Sequence, residues 1–535
     1  MQQFKSKKLM PLLNKSTLTE KLIVVLGASA VKTDQDSCVL YSQDVYAKDK
    51  PCAIVIKPSC AKKLSQAVSI ITQGGYSVVA RGGGMSYTGG YVPKEEHSVV
   101  VDMSALNNVL EVNTKDMYVT VESGCSWEKL YLTLKEHKLR TPFWGTLSGR
   151  FATVGGSLSQ NGIFWGSAQH GFAVDSVLSL DVILSDGTTL TTGSAAKKGT
   201  QPFARHFGPD LTGLFCNDSA TLGIKTKATI RLIPEALHKG STSISFTEFN
   251  HQAELMSEVA RQGLASECFG FDPFLQSQRL QRESLGKDIK SLFGVMKAAG
   301  SVGKALKAGS KIALAGRDFI ESECWSVHFL VEDWTEQGVE LKLNKINQLA
   351  ENLQGKVVEN TIPKVMSANP FGPVNNMVGP KGERWVPIHA LVPHSKVQEA
   401  YLATEAVFNK HAALIEQCNI GIGYLLATVS STVFVLEPVF FWPEALNELH
   451  KHALEPAHLK RLPGFAANPV ASNAMAVIRA DLISKYAESG YIHMQLGKSY
   501  QFKQVLDAEN YQLLTDIKKR LDPNNRLNPG CLGFD

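Results

Sequence analysis

Residues 81–90, RGGGMSYTGG, place five glycines in ten positions directly after the apolar run YSVVA. Glycine destabilises an ordered segment, so such a loop is favoured where the backbone needs a positive φ or where a ligand approaches it closely. Two further segments are also rich in small residues, TVGGSLSQNGIFWGSAQHG at 153–171 and NDSATLGIKT at 217–226. Because backbone N–H groups in such loops bind phosphate oxygens, the three segments predict a site for a long dinucleotide.

The segments around these loops indicate a mixture of helices and strands. Short β-branched runs alternate with one polar helical stretch between 51 and 125, and a strand, Asp-Gly turn and strand pattern follows within 150–234. The glycine-rich signals become rare from about 240 to 480, which indicates a separate domain. A chain of 535 residues with 44% hydrophobic residues is also too long for a single core, so we expect at least two domains.

The composition argues against several classes of protein. A net charge of +5, from 55 basic and 50 acidic residues, is too small and too dispersed for a nucleic-acid partner. The nine cysteines form no CxxC pair, which argues against a disulfide framework or a zinc knuckle. No run approaches the roughly 18 apolar residues of a membrane-spanning helix, and no cleavage site follows the basic N-terminus. We expect a cytoplasmic protein that acts on a small molecule.

An ordered series of motifs resembles the vanillyl-alcohol oxidase and p-cresol methylhydroxylase superfamily of FAD-dependent oxidoreductases. The matching segments are the glycine loop 81–90, the Thr-Val-Gly-Gly of 153–156, the passages 210–215 and 221–226, and the closing DPNNRLNPG of 522–530. The order and spacing of these matches are typical of the family. The resemblance covers about 45–235 and the C-terminal tail.

The resemblance implies an α+β fold with a two-part FAD-binding domain of the p-cresol methylhydroxylase type. An α+β cap domain would cover the substrate, and a C-terminal segment would return to the FAD-binding domain. The expected boundaries are 1–45 for an N-terminal segment, 46–238 for the FAD-binding domain, 239–485 for the cap domain and 486–535 for the returning segment.

The resemblance also implies which residues bind FAD, with the pyrophosphate against the glycine loop and the isoalloxazine ring under the cap. The expected contacts are Arg81, Gly82, Gly83, Gly84, Met85, Ser86, Gly90, Pro142, Thr153, Gly155, Gly156, Ser159, Gly162, Gly166, Gly171, Gly223, Ile224 and Asn528. Met85 stands where many family members carry a histidine bonded covalently to the flavin, so attachment at this loop is excluded. Attachment through His389 or Tyr424 is left open, and non-covalent FAD is favoured.

Polar residues in two regions are the candidates for catalysis. They are His493, Gln495, Lys498 and Tyr500 near the C-terminus, and Arg384 and His389 in the cap domain. A histidine can take a hydroxyl proton during hydride transfer, a lysine can bind a carboxylate or the flavin, and an arginine can orient an anionic substrate. The alternative is that His493 is a packed strand residue and Lys498 a surface charge.

Two family signatures are missing. The string CNIGIGYLLATVSS has Asn419 where the metal-binding hydroxy-acid dehydrogenases have a first histidine, and it contains no second histidine, so we expect no metal. The Tyr-Arg pair of the 4-alkylphenol oxidases is also absent from ESGYIHMQLGKSYQF.

The stretch 289–319 has no acidic residue before Asp318, and its lysines recur every seven residues opposite an apolar stripe. Such a basic amphipathic helix is typical of a peripheral membrane anchor, and the alternatives are a cap-domain helix or a mobile loop.

The function expected from these observations is an FAD-dependent dehydrogenase of a small hydroxylated, carboxylate-bearing substrate. Its electron acceptor would be a quinone or a redox protein, and a homodimer is the habit of the family. The alternatives are a 4-alkylphenol-type oxidase and a flavin-binding protein without redox turnover. Carbon–oxygen exchange on a lipid precursor, which some family members perform, is also left open.

Overall fold

The computed structural model describes residues 12–280 and 323–535. The basic stretch 289–319 lies outside these residues. Within them, no helix has the length and hydropathy needed to cross a bilayer.

The first lobe is a small sheet with helices packed on it. Its strands are β1 (Val31–Lys32), β2 (Ile54–Ile56), β3 (Ser77–Arg81) and β4 (Ser98–Asp102), and its helices are α1 (Lys15–Leu26), α2 (Gln35–Tyr41) and α3 (Ala61–Gln73). The strand order is β1-β2-β4-β3, with β2, β4 and β3 parallel and β1 antiparallel to β2. The three parallel strands are almost wholly buried, as their β-branched sequences predict.

The second lobe, which follows the first in the sequence, is built on a separate antiparallel sheet. Its strands are β5 (Val109–Asn113), β6 (Tyr118–Glu122), β7 (Leu139–Arg140), β8 (Val177–Ile183), β9 (Thr189–Thr191), β10 (Ile224–Arg231) and β11 (Ile233–Pro234). Its helices are α4 (Trp127–Lys135), α5 (Val154–Gln160), α6 (Ser167–His170) and α7 (Leu211–Leu214). The order is β5-β6-β10-β8-β9, and β11 pairs separately with β7. Thr153 caps α5, because its hydroxyl accepts from the Gly156 N–H at 3.2 Å.

The third lobe is built on the largest sheet. Its strands are β12 (His238–Phe246), β13 (Glu267–Phe271), β14 (Trp325–Asp333), β15 (Lys356–Val358), β16 (Arg384–Pro387), β17 (Ala390–Val392), β18 (Gly421–Val429) and β19 (Val433–Trp442). The helices from here to the C-terminus are α8 (Phe249–Arg261), α9 (Pro273–Leu280), α10 (Glu336–Asn352), α11 (Thr361–Ala368), α12 (Val397–Lys410), α13 (Ala412–Gln417), α14 (Glu448–Ala453), α15 (Pro456–Leu459), α16 (Pro469–Glu488), α17 (Phe502–Val505) and α18 (Ala508–Leu521). The strand order is β15-β12-β14-β13-β18-β19-β16, with β17 also on β19.

The C-terminal segment returns to the first two lobes. Leu527 bridges Val78 of β3 in parallel, and the Asn528 side-chain amide donates to the carbonyls of Gly90 and Ser219 at 2.6 Å each. The predicted α+β class with a returning C-terminal segment is confirmed. The domain boundaries stay predictions, although β12 does begin at His238.

Candidate functional site

The glycine loop leaves β3 and packs its backbone tightly against the segment that precedes α5. A Cβ atom on Gly83 would lie 1.9 Å from the Phe151 carbonyl oxygen, and one on Gly82 would lie 2.4 Å from the Thr153 hydroxyl. Gly84 has a φ of +75°, a conformation that side chains disfavour. The close approach of residues 151–153 to Gly82 and Gly83, together with the positive φ of Gly84, therefore explains why three glycines follow one another.

A cavity of about 230 Å³ lies between this loop and the third lobe. The first two lobes contribute 82–87, Tyr91, 146–148, Ala152, Thr153, Gly156, Ser157, Gln160 and 162–164. The opposite wall is Val45, Val374, Asn376, Met377, Trp385, His389, Leu425, Ala427, Glu437, Met494 and Gln495. We call this space the cap cavity. Its wall is largely apolar, and the lining residues within 12–280 and 323–535 include neither lysine nor arginine.

One titratable group of three residues faces the cap cavity. The Tyr87 hydroxyl lies 2.7 Å from His389 Nε2, and Glu437 Oε2 lies 3.5 Å from the same nitrogen. Burial lowers the pKa of His389 to about 3 and raises the pKa of Tyr87 well above its ordinary value. The neutral His389 imidazole can therefore accept the proton of the Tyr87 hydroxyl, while that hydroxyl takes a proton from a substrate.

The stacked rings of His493 and Tyr500 form a layer that supports the His389 backbone through hydrogen bonds. His493 Nδ1 donates to the His389 carbonyl oxygen at 2.5 Å, and the Tyr500 hydroxyl accepts from the His389 N–H at 3.4 Å. The His493 and Tyr500 rings stack with centroids 3.9 Å apart. Burial lowers the pKa of His493 to about 4, so this layer is neutral near pH 7.

A second cavity, of about 360 Å³, adjoins the glycine loop, and Gly82, Gly83, Met85 and Thr153 line both spaces. Its cationic lining residues are Lys57, Arg81, Lys129 and Arg150. The Arg81 guanidinium lies over the ring of Tyr41, 4.6 Å from its centroid, and its buried Nε has no hydrogen-bond partner in the described part of the chain. These cations suit an anionic ligand on the far side of the loop from His389.

The segment after α2 connects the glycine loop to the cap. The fully buried Asp44 carboxylate accepts from the Gly89 N–H at 2.7 Å and the Tyr46 N–H at 2.8 Å, and the Val45 N–H donates to the Ser86 carbonyl at 3.1 Å. Burial raises the pKa of Asp44 to about 6.

This raised pKa predicts that Asp44 makes the stability of the protein depend on pH. An unfolded Asp44 ionises near pH 3.8, whereas the folded group resists ionisation until about pH 6. The free energy of unfolding of the wild type, relative to Asp44→Asn, should therefore be highest below pH 4 and fall by up to about 3 kcal/mol as the pH rises through 6. Urea unfolding of both proteins at pH 4.5, 6 and 7.5 measures it. A difference that does not change with pH would contradict the prediction.

Some of the expected cofactor-binding residues line these spaces. Gly82, Gly83, Gly84, Met85, Ser86, Thr153, Gly156 and Gly162 line the cap cavity, and Arg81 lines the second cavity. The others lie outside both linings: Gly90, Pro142, Gly155, Ser159, Gly166, Gly171, Gly223, Ile224 and Asn528. Several of these pack against protein instead, since a Cβ on Gly223 would lie 2.3 Å from the Val182 side chain. The complete set stays a prediction.

The candidate catalytic residues also divide. His389 and Gln495 line the cap cavity, whereas His493 and Tyr500 form the layer behind it. The Lys498 ammonium donates to the Val92 carbonyl and the Asn528 side chain, at 2.6 and 2.9 Å, so it holds the returning segment in place. Lys498 is therefore not the surface charge of the alternative interpretation, since its ammonium is buried and hydrogen-bonded.

Arg384 also has a structural role. Its guanidinium donates to the carbonyls of Val45 and Tyr46, at 2.9 and 3.0 Å, and lies over the Trp442 ring. It therefore connects the cap to the segment after α2 and does not reach the cap cavity.

Sequence reasoning missed the two partners of His389. Tyr87 lies inside the glycine loop, where its hydroxyl was overlooked among residues chosen for backbone binding. Glu437 is the one charged residue in the apolar run VFVLEPVFFW, and a lone carboxylate in a buried strand was the available signal. The neighbouring Phe440, Phe441 and Trp442 are buried core residues.

Tyr424, one of the two candidates for covalent attachment, lies away from the cap cavity, with its hydroxyl donating to Glu405. In residues 12–280 and 323–535 no group of three or more His, Cys, Asp or Glu side chains could hold a metal ion.

The arrangement is a glycine-lined site that the first two lobes share and that the third lobe covers. FAD fits it, because the backbone of Gly82 and Gly83 lines both cavities and can approach phosphates, and because the cap cavity can receive the flavin ring. The cations of the second cavity add the charge that an ADP group requires.

Comparison with known proteins identifies the class more closely. Residues 52–193 match the family model of an FAD binding domain. A search of curated proteins finds the mitochondrial D-lactate dehydrogenase (cytochrome) 1 of Saccharomyces cerevisiae, 26% identical over 39% of this chain and 35% of the relative. It also finds the 1'-carboxy-chondrochloren decarboxylase of Chondromyces crocatus, 24% identical over 95% of this chain and 96% of the relative. Among solved structures, substrate-bound p-cresol methylhydroxylase has a TM-score of 0.73 at 14% identity, covering 97% of both chains.

The alignments span about a third to a half of the length of the first curated relatives. The chain has the fold of p-cresol methylhydroxylase, and residues 52–193 match an FAD binding domain, so FAD is its cofactor.

Proposed function

We propose that this protein is an FAD-dependent oxidoreductase that removes a hydride from a hydroxylated substrate whose body is apolar and uncharged. The observation that carries the proposal is the wall of the cap cavity, where Tyr87, His389 and Glu437 are grouped and where the described lining residues include no lysine or arginine. A carboxylate substrate would lie against the Glu437 side chain in this wall. The expected carboxylate contacts, Arg384 and Lys498, are bound to backbone elsewhere.

The side chains supply the proton transfer in this proposal. FAD, when bound, supplies the hydride acceptor. Tyr87 takes the hydroxyl proton of the substrate and passes its own proton to the neutral His389 Nε2, at 2.7 Å. The resulting imidazolium is stabilised by the Glu437 carboxylate at 3.5 Å. Trp385, Phe164, Leu425 and Ala427 would contact the apolar body of the substrate.

A second candidate is the 2-hydroxy-acid dehydrogenase expected from the sequence, with a quinone or protein acceptor. The matching D-lactate dehydrogenase favours it, although that alignment covers 39% of this chain. The decarboxylase that aligns over 95% of this chain is named for a carboxylated compound, which also supports a carboxylate substrate.

Anaerobic flavin reduction distinguishes the two candidates. The holoenzyme is mixed with neutral 4-alkylphenols and aryl or alkyl alcohols, and separately with D-lactate, glycolate and D-2-hydroxyglutarate, while the flavin absorbance is recorded. We expect bleaching by a neutral compound. Bleaching by hydroxy acids alone would refute the neutral-substrate proposal.

Glu437→Gln tests the role of the carboxylate, because it removes the charge and keeps the side-chain shape. It should slow flavin reduction by the neutral substrate, since the imidazolium loses its counter-charge.

Reoxidation of the reduced enzyme by a quinone analogue or by oxygen measures the preferred electron acceptor. Acid precipitation, with the flavin followed into the supernatant, checks the proposal that FAD is non-covalent.

A further inference from the structure

Two of the nine free cysteines lie side by side behind the glycine loop. Cys38, on α2, donates its thiol to the Ala53 carbonyl at 3.7 Å, and Cys52, just before β2, donates to the Cys38 carbonyl at 3.8 Å. Ala53 follows Cys52 directly in the chain, so both sulfurs lie at the same contact between the two segments. Both cysteines belong to one small buried core, which also contains Tyr91.

The two thiols are chemically unequal. The neighbouring Cys52 thiol lowers the pKa of Cys38 to about 7, whereas the neighbouring Cys38 and burial raise the pKa of Cys52. Near neutral pH, Cys38 is therefore partly the nucleophilic thiolate, and Cys52 remains the thiol that can resolve an oxidised partner.

We propose that Cys38 and Cys52 are a redox pair that a peroxide converts into a disulfide. The Cys38 sulfur attacks one peroxide oxygen and the O–O bond breaks. With hydrogen peroxide, the products of this step are a sulfenic acid on Cys38 and one water. The Cys52 sulfur then displaces hydroxide from the Cys38 sulfur, forming the S–S bond, and the Cys52 proton completes the second water. Two thiols lose two electrons and two protons in total, and the peroxide is reduced to two waters.

The disulfide would join the two ends of residues 38–52, the segment that connects the glycine loop to the third lobe. Residues 38–52 include Asp44, which binds the Gly89 N–H, and Val45, whose N–H binds Ser86 and whose carbonyl accepts from Arg384. Both cysteines are at most 3% exposed, so oxidation requires a small peroxide or a local opening. The disulfide would restrict that opening and fix the loop against which FAD binds.

The test uses the reduced holoprotein, treated with hydrogen peroxide at pH 7.5, then unfolded and alkylated. Alkylation of seven of the nine cysteines is expected, with a peptide pair linking Cys38 to Cys52 in the mass spectrum. The melting temperature should rise by about 3 °C. Cys38→Ser and Cys52→Ser should each abolish the linked pair and this rise, while Cys60→Ser, a half-exposed cysteine elsewhere, should retain both.

Alkylation of all nine cysteines after treatment would overturn the proposal. So would a sulfinic acid on Cys38 without a linked peptide, or a link between other cysteines. Since either serine variant could destabilise the small core, Cys38→Ala is treated in parallel, and circular dichroism confirms that each variant is folded. The readouts are covalent linkage and melting, so the result is independent of the substrate proposal.

Discussion

Tyr87→Phe is expected to slow substrate-driven flavin reduction by about 100- to 1000-fold, because the substrate hydroxyl loses its path to His389. This factor corresponds to about 3 to 4 kcal/mol of activation free energy. Burial keeps the Tyr87 phenol protonated and His389 neutral, so the pair can receive a proton at neutral pH. Stopped-flow absorbance under anaerobic conditions measures the rate. FAD binding should be nearly unchanged, since the ring of residue 87 is retained.

Tyr76→Phe is the matched control, because its buried hydroxyl donates to the Leu13 carbonyl far from the cap cavity. Its reduction rate should equal that of the wild type. The pH profile gives a second check, because a His389 pKa of about 3 predicts no His389 titration between pH 5 and 8. A Tyr87→Phe enzyme as fast as the wild type would show that the substrate proton leaves by another route.

The parts of the fold that sequence reasoning predicted are those set by local chemistry. Gly83 is required by one backbone contact, 1.9 Å from its Cβ position to the Phe151 carbonyl oxygen, and Gly84 and Gly89 have a positive φ, so composition alone indicates this loop. The closing DPNNRLNPG passage was equally informative, since Asn528 bonds both Gly90 and Ser219.

The candidate catalytic residues were harder to predict, because their roles depend on contacts between distant segments. His389, Tyr87 and Glu437 meet only when β19, the two-residue connection between β16 and β17, and the glycine loop pack together. Arg384 and Lys498 are of the residue types expected in a carboxylate-binding site. Both side chains instead donate hydrogen bonds to buried backbone carbonyls in another lobe. Residue type predicts what a side chain can bind, whereas only the tertiary packing decides which partner it meets.

Gly83→Ala is expected to weaken FAD binding by at least about 100-fold. The new Cβ would lie 1.9 Å from the Phe151 carbonyl oxygen and 3.0 Å from the Ala152 nitrogen. Both are backbone atoms, so no side-chain rotation relieves the contact, and the loop must move into the cavity that holds the cofactor. Fluorescence titration of the apoprotein with FAD measures the change, and circular dichroism establishes that the variant is folded.

Gly372→Ala is the control, because the nearest atom to its Cβ, on the Asn369 side chain, is 3.4 Å away. That variant should bind FAD as the wild type does. Retention of wild-type affinity by Gly83→Ala would mean that the phosphates of FAD do not depend on the position of this loop. The glycine loop would then serve the packing of the two lobes, and the cations of the second cavity would have to bind the phosphates without it.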